Sequence, residues 1–337
     1  MSSIRRGFLH KPVYLFLLLA ASVHAGDGEA GDKTYEWVAW ADMLYQDNVI
    51  EDSVPFFNVR NVYAGVKGSI SERWLYFLLA EYSRDITFDG GESDELTVDR
   101  AFIEYRYSAA FRLRLGRVYS PAGIWKPIHW AITVDTINSP IMEDNGYIPN
   151  KTNGLEFLGT RVTAHGEWSY TLLVGGVEEE IDNRQTLHEA RALGGDLNYL
   201  HSDRFKIGLS LYNYSQSEGG KANATGWMPY FETRFAADRF LLRAEYLTLE
   251  RREDVSARAF YAKLKYRFTP QWYANYRYDY GDDERRQQGT NHQIHTMTLG
   301  WQPSDHWKFR GEISVNQRED RLGDDFERWA LWTGFVF

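Results

Sequence analysis

Apolar residues recur at every second position over stretches of about ten, the mark of strands with one apolar and one polar face. Phe205, Ile207, Leu209 and Leu211 share one parity, with Lys206, Gly208 and Ser210 between them. Trp307, Phe309, Ile313 and Val315 oppose Lys308, Arg310, Glu312, Ser314 and Asn316 in the same way. Two further stretches repeat the pattern: Phe260, Ala262, Leu264, Tyr266 and Phe268 alternate with Tyr261, Lys263, Lys265 and Arg267, and Trp272, Ala274, Tyr276, Tyr278 and Tyr280 with Asn275, Arg277 and Asp279. Over Phe56 to Gly68 and Trp74 to Tyr82 both parities carry apolar residues, so alternation alone does not set the register there.

The connections alternate in length. Seven short polar links stand near Ser69–Glu72, Ser108–Ala110, Ala164–Glu167, Ser202–Asp203, Ala236–Asp238, Thr269–Gln271 and Pro303–Asp305. Between them lie eight longer polar segments, about Asp47–Pro55, Ser83–Leu96, Val118–Asn153, Glu178–Glu189, Gln216–Ala224, Arg251–Ser256, Asp282–His292 and Arg318–Phe326. Fifteen connections imply about 16 strands, from Thr34–Gln46 to Glu327–Phe337, and put both chain ends on the short-turn side. A soluble sandwich also alternates, with its polar faces outward and its apolar faces sharing one dry core. Periodicity by itself leaves both architectures open.

The first 25 residues bear on that choice. Arg5, Arg6 and Lys11 precede the apolar run Val13 to Val23, which ends in Val23-His24-Ala25. An apolar core of about 11 residues is shorter than the roughly 20 that a spanning helix needs, which favours a secretory leader cleaved after Ala25 over an anchoring helix. The reading divides the chain into the leader (1–25), a short periplasmic segment (26–33) and a barrel (34–337). The 337 residues include no Cys, so neither a disulfide scaffold nor a lipoprotein anchor has a site. Aromatic residues make up 16% of the chain, yet the mean hydropathy is −0.50. A transmembrane barrel resolves that contradiction, because each strand gives alternate residues to lipid and to water while aromatics gather at the two interfaces. The formal charge is −9 and becomes −12 once the three basic residues of the leader are removed. So acidic a chain is not expected to bind nucleic acid.

In the last strand Trp329, Leu331, Phe335 and Phe337 lie on one parity and the sequence ends on Phe337. This resembles the terminal aromatic strand by which bacterial outer-membrane proteins are recognised for barrel assembly. One connection is exceptional: about 36 residues separate Arg117 from Gly154, with Pro121, Pro127, Pro140, Pro149, Trp125 and Trp130 among them. Leu115-Gly116-Arg117-Val118-Tyr119-Ser120-Pro121-Ala122-Gly123 runs into it and Ile148-Pro149-Asn150-Lys151-Thr152-Asn153-Gly154 leads out. These junctions resemble those of bacterial outer-membrane porins, including the phosphate-selective porin O/P group, over residues 97 to 160. The resemblance implies an all-β, 16-stranded transmembrane antiparallel barrel whose long third loop folds into the lumen; a large extracellular flap is the other reading. The lysine-rich row that would mark phosphate binding has no counterpart near the loop.

The same stretch carries the candidate constriction. Arg100, Glu104 and Arg106 oppose Ala101, Ile103, Tyr105 and Tyr107, and Arg112 and Arg114 oppose Phe111, Leu113 and Leu115. A charge aimed at the bilayer midplane costs roughly 2–4 kcal/mol, so these side chains are expected inside. With Arg117 they form a wall that would face the loop carboxylates Asp135, Glu143 and Asp144 in a transverse field, or else only pair with neighbours such as Glu104. Neutralising Arg112 and Arg114 is then expected to shift selectivity toward cations with little cost in stability. Neither Gly-x-Ser-x-Gly nor His-Glu-x-x-His occurs, although His188-Glu189 begins like the second. His295 falls on the apolar parity, as an interfacial residue would.

The function expected is passive diffusion of small hydrophilic solutes or ions across the outer membrane, without cofactor or metal. Lipid and lipopolysaccharide are the expected surroundings, and the resemblance implies a possible homotrimer. The apolar double faces of 56–68 and 74–82 hint at a protein contact. An outer-membrane hydrolase on a barrel scaffold and a plugged structural or adhesive barrel remain the alternatives.

Overall fold

The computed structural model describes residues 35–337 apart from 50–55, 87–91, 145–146, 182–184, 216–222, 252–255, 284–290 and 319–325. The leader (1–25) and the segment 26–33 therefore lie outside the described residues. The strands are β1 (Tyr35–Val49), β2 (Phe56–Ser69), β3 (Trp74–Ile86), β4 (Glu92–Ser108), β5 (Phe111–Tyr119), β6 (Lys151–Thr163), β7 (Gly166–Ile181) and β8 (Gln185–His201). They continue as β9 (Phe205–Ser215), β10 (Ala224–Phe235), β11 (Phe240–Arg251), β12 (Ser256–Arg267), β13 (Trp272–Asp283), β14 (Asn291–Trp301), β15 (Trp307–Arg318) and β16 (Phe326–Val336). Each pairs antiparallel with its neighbours in sequence, and β1 pairs with β16 to close the barrel.

Alternation sets the faces as expected. Leu209 and Leu211 are 42% and 55% exposed on the outside, while Ser210 between them is buried on the lumen side. Lys263, Arg277, Arg310 and Glu312 are likewise buried inward. His295 faces outward, 2.7 Å from the hydroxyl of Tyr276. Several strands outrun their apolar stretches, because backbone pairing continues past the edge of the lipid-facing band. The acidic run Glu178-Glu179-Glu180, expected in a loop, belongs to β7, which pairs with β8 out to Ile181 and Gln185 after a register shift between Val177 and Glu179.

Register shifts interrupt strict alternation at four places among the described residues, in the pairs β1–β2, β3–β4, β4–β5 and β7–β8, and the first two bear on the site. Asp42 pairs with Asn61 and Met43 with Val59, so Arg60 is an extra residue in β2. Leu79 pairs with Arg100 and Ala80 with Val98, so Asp99 is extra in β4. A bulge inserts one unpaired residue and reverses the parity beyond it. Phe57 is exposed outward and Tyr63 is buried inward although both are odd-numbered.

The lumen also contains apolar side chains, which accounts for the double-faced strands. Trp40, Leu44, Tyr63, Leu79, Ala330 and Trp332 pack inward against Ile132 and Ile137, with Phe77 and Trp130 beside them. The inner apolar residues of β2 and β3 thus meet the long connection of their own chain, and the protein contact hinted at by their composition is intramolecular on this face.

Candidate functional site

The connection from β5 to β6, residues 120–150 and hereafter L3, contains a 3-10 turn at Lys126–Ile128 and one short helix, α1 (Ile141–Asp144). It lies against the inner wall on two apolar feet. One packs Trp125, Val134, Met142, Tyr147 and Ile148 onto Tyr212, Met228, Leu247, Leu249 and Tyr261 of β9 to β12. The other is the Ile132 and Ile137 cluster against β1, β2, β3 and β16.

Buried backbone needs hydrogen-bond partners, and the wall supplies them from inward-facing side chains. Glu245 of β11 accepts the N–H groups of Ile124 at 2.8 Å and Trp125 at 2.9 Å, and also the Tyr261 hydroxyl. Ser210 accepts the N–H of Gly123 at 2.8 Å. Gly123 adopts φ +66°, and a Cβ there would collide with Glu245 and Met228, so glycine is what lets L3 approach so closely. Glu312 of β15 accepts the N–H groups of Ile137 at 2.8 Å and Asn138 at 3.0 Å. Cations serve the carbonyls: Arg277 donates to Asn138 at 2.7 Å and Ser139 at 2.9 Å, Arg310 to Ala131 at 2.6 Å and Lys308 to Ile132 at 2.7 Å.

The wall and loop charges anticipated from sequence do not all meet. Arg106 and Arg114 donate to Glu104 at 2.6 and 2.5 Å, and Arg114 also reaches Glu156 at 2.9 Å. Arg112 lies 4.0 Å from Glu104. Arg100 sits in an aromatic cage, with its guanidinium 3.9 Å from the Trp130 ring centroid and 4.4 Å from that of Tyr119. It clasps L3 to the wall through cation–π contact. Asp135 faces Lys263 at 3.1 Å and Lys265 at 2.7 Å on β12, away from the arginines of β4 and β5. Burial pushes its carboxyl upward, but the two ammonium groups outweigh that and hold it well below the usual carboxylate range. Glu143 pairs with Lys126 at 2.7 Å inside the loop. Asp144 ends α1, and its side chain is outside the described set.

Two expectations are corrected. Arg117 shares the parity of Leu113 and Leu115 and reaches Asn153 on the adjacent strand at 3.4 Å, which places it on the outer side of the wall rather than in the constriction. Neutralising Arg114 also carries a stability cost, because Glu104 and Glu156 are buried and depend on it. Arg114→Gln is expected to destabilise the barrel by about 3 kcal/mol, the lower end for removing one partner of a buried pair, since Arg114 is a quarter exposed. Urea unfolding in detergent micelles, set beside Arg112→Gln as the milder change, checks this.

A polar cavity of about 300 Å³ lies between the loop and the β2–β3 wall. Arg60, Asn61, Tyr63, Glu81, Ser83 and Lys151 border it from the wall, and Trp125, His129, Ser139 and Asn150 from L3. Burial pushes the His129 imidazole below its ordinary value, so it is neutral at pH 7. Sequence reasoning missed this cavity. Arg60 is the inserted residue of a bulge, and the partners of Glu81 and Lys151 come from strands far apart in the chain.

A closed antiparallel barrel of sixteen strands, with a long third loop bound inside, has the architecture of an outer-membrane porin. Residues 210–322 match the sequence profile of the family described as phosphate-selective porin O and P. An uncharacterised protein of Aquifex aeolicus (strain VF5) is 27% identical over 144 residues, 40% of this chain and 33% of that protein. The matched stretch thus spans about a third of that relative's length. Among solved structures, the anion-selective porin from Comamonas acidovorans superposes with a TM-score of 0.69 at 12% identity, over 91% of this chain and all of that one. OmpT of Vibrio cholerae in its trimer form gives 0.66 at 8% identity over 91% and 100%. OmpF of Salmonella typhi gives 0.64 at 10% identity over 90% and 97%. At these identities the likeness is one of fold.

Proposed function

We propose that this protein is an outer-membrane porin through which small hydrophilic solutes diffuse passively, with anions favoured over cations. The observation that carries the reading is the polar cavity between L3 and the β2–β3 wall, bordered by Arg60, which we take as the eyelet of the pathway. The preference for anions is supported by the wall beside it. There the guanidinium groups of Arg100, Arg106, Arg112 and Arg114 stand against the carboxylates of Glu104 and Glu156, and Arg106 keeps 48% of its side chain exposed. Low-dielectric walls with an excess of one sign concentrate the opposite ion.

Secretion with removal of residues 1–25, and assembly as a homotrimer in a lipopolysaccharide-containing membrane, complete the proposal. The trimeric form of the OmpT structure supports the last of these. The test is a planar bilayer recording of the refolded protein under a salt gradient. Stepwise ohmic openings with a reversal potential of anionic sign are expected. Demonstrably folded protein that passes no current would overturn the reading in favour of a plugged or hydrolytic barrel.

A further inference from the structure

We propose that the eyelet selects small monocarboxylates that carry a hydroxyl or amino group beside the carboxylate, in preference to inorganic phosphate. The inference rests on the porin reading and narrows it to a class of solute.

The polarity of the cavity is built from two rungs of the β2–β3 ladder on either side of the Val62–Tyr82 pair. On the first, Asn61 pairs with Ser83, next to the inserted Arg60. Among the described residues the Arg60 guanidinium makes one long hydrogen bond, 3.4 Å to the carbonyl of Ile137, and interacts electrostatically with the buried carboxyl of Asp42. A guanidinium has five N–H donors in a planar fork that matches the two oxygens of a carboxylate. Arg60 borders the cavity together with Ser83 and Ser139.

On the second rung Tyr63 pairs with Glu81. Glu81 accepts the Tyr63 hydroxyl at 2.5 Å on one oxygen and the Lys151 ammonium at 3.4 Å on the other. An ionised carboxylate has about four acceptor positions, so Glu81 still has room for a donor from a solute. Lys151 also pairs with Asp99 at 2.9 Å. Arg100 lies 4.0 Å from Asp99 as well, so the two carboxylates are matched by two cations and what Glu81 offers is acceptor capacity rather than excess charge.

The site thus offers guanidinium donors of Arg60 beside one rung and acceptor oxygens of Glu81 at the other. Residues two apart on a strand are separated by about 7 Å, a span bridged by a carboxylate at Arg60 with a hydroxyl or ammonium one or two carbons away. Phosphate fits less well. Its second charge would face the Glu81 and Asp99 end, and Lys151 is already committed to those two carboxylates.

The test compares sodium lactate, sodium propionate and sodium phosphate at pH 7 in bi-ionic reversal-potential measurements on the reconstituted full barrel. Lactate and propionate have the same carbon skeleton and differ in the hydroxyl. Lactate is expected to be favoured roughly fivefold, the equivalent of one net hydrogen bond, and phosphate to trail both. Glu81→Leu should bring the lactate-to-propionate ratio near unity, and the milder Glu81→Gln should fall between. Folding of each variant is read from heat-modifiable electrophoretic migration. Equal permeation of lactate and propionate through the unaltered protein, or phosphate ahead of lactate, overturns the proposal while leaving the porin reading intact. Absence of any channel overturns the porin reading, and this inference with it.

Discussion

Replacing Glu245 and Glu312 together by Ala is expected to raise single-channel conductance and make the openings flicker while the barrel still closes. The two carboxylates accept the N–H groups of Ile124, Trp125, Ile137 and Asn138, one pair at each foot of L3. Each buried N–H left without a partner costs about 1–3 kcal/mol, so losing four makes the docked loop unfavourable relative to a solvated one. The sixteen-strand ladder does not depend on these groups, and far-ultraviolet circular dichroism should be unchanged. The single variants leave one foot in place and should give intermediate conductance. A folded double variant with unaltered conductance would show that L3 does not set the width of the pathway.

Arg60→Glu is the second large effect. It exchanges a cation bordering the eyelet for an anion, close to Glu81 and to the buried Asp42. Two units of charge acting over several ångströms of partly screened space should change the anion-to-cation permeability ratio by roughly tenfold. The reversal potential is expected to move to the cationic side. Arg106→Glu, with its side chain half exposed and already paired with Glu104, should move it far less. Equal shifts in the two variants would place selectivity in the wider part of the lumen instead of the eyelet.

The barrel was readable in the sequence because lipid on one side and water on the other impose a period of two, which survives over β9, β12, β13 and β15 without interruption. The turn and loop alternation then fixed the number of strands. The same rule puts the wall arginines Arg100, Arg106, Arg112 and Arg114 on the parity opposite to Leu113 and Leu115, and Arg117, an odd-numbered neighbour of Leu115, on the other. What alternation cannot register is an insertion. Arg60 and Asp99 are the extra residues of their bulges, and each shifts the face of everything on one side of it. The partners of L3 were hidden for a different reason. Asp135 finds Lys263 and Lys265, and Ile137 finds Glu312, across more than a hundred residues of chain. Nothing local in the sequence distinguishes those pairs from the opposition of Asp135 to the arginines. Apolar residues inside the lumen, such as Tyr63 and Leu79, were legible only as a disturbance in the pattern of β2 and β3.

The dipeptide Ile137-Asn138 joins parts of the chain that are remote in order of synthesis. The carbonyl of Ile137 accepts from Arg60 on β2, the two N–H groups bind Glu312 on β15, and the Asn138 side chain accepts from Arg328 on β16 at 3.2 Å. These strands flank the seam where the first and last strands of the barrel meet. A cylinder made by zipping strands one after another must finally bring its two free edges together, which carries a loop-closure cost. Two residues in the middle of the chain hold both edges at once, so L3 acts as a latch for the finished cylinder as well as a restriction within it.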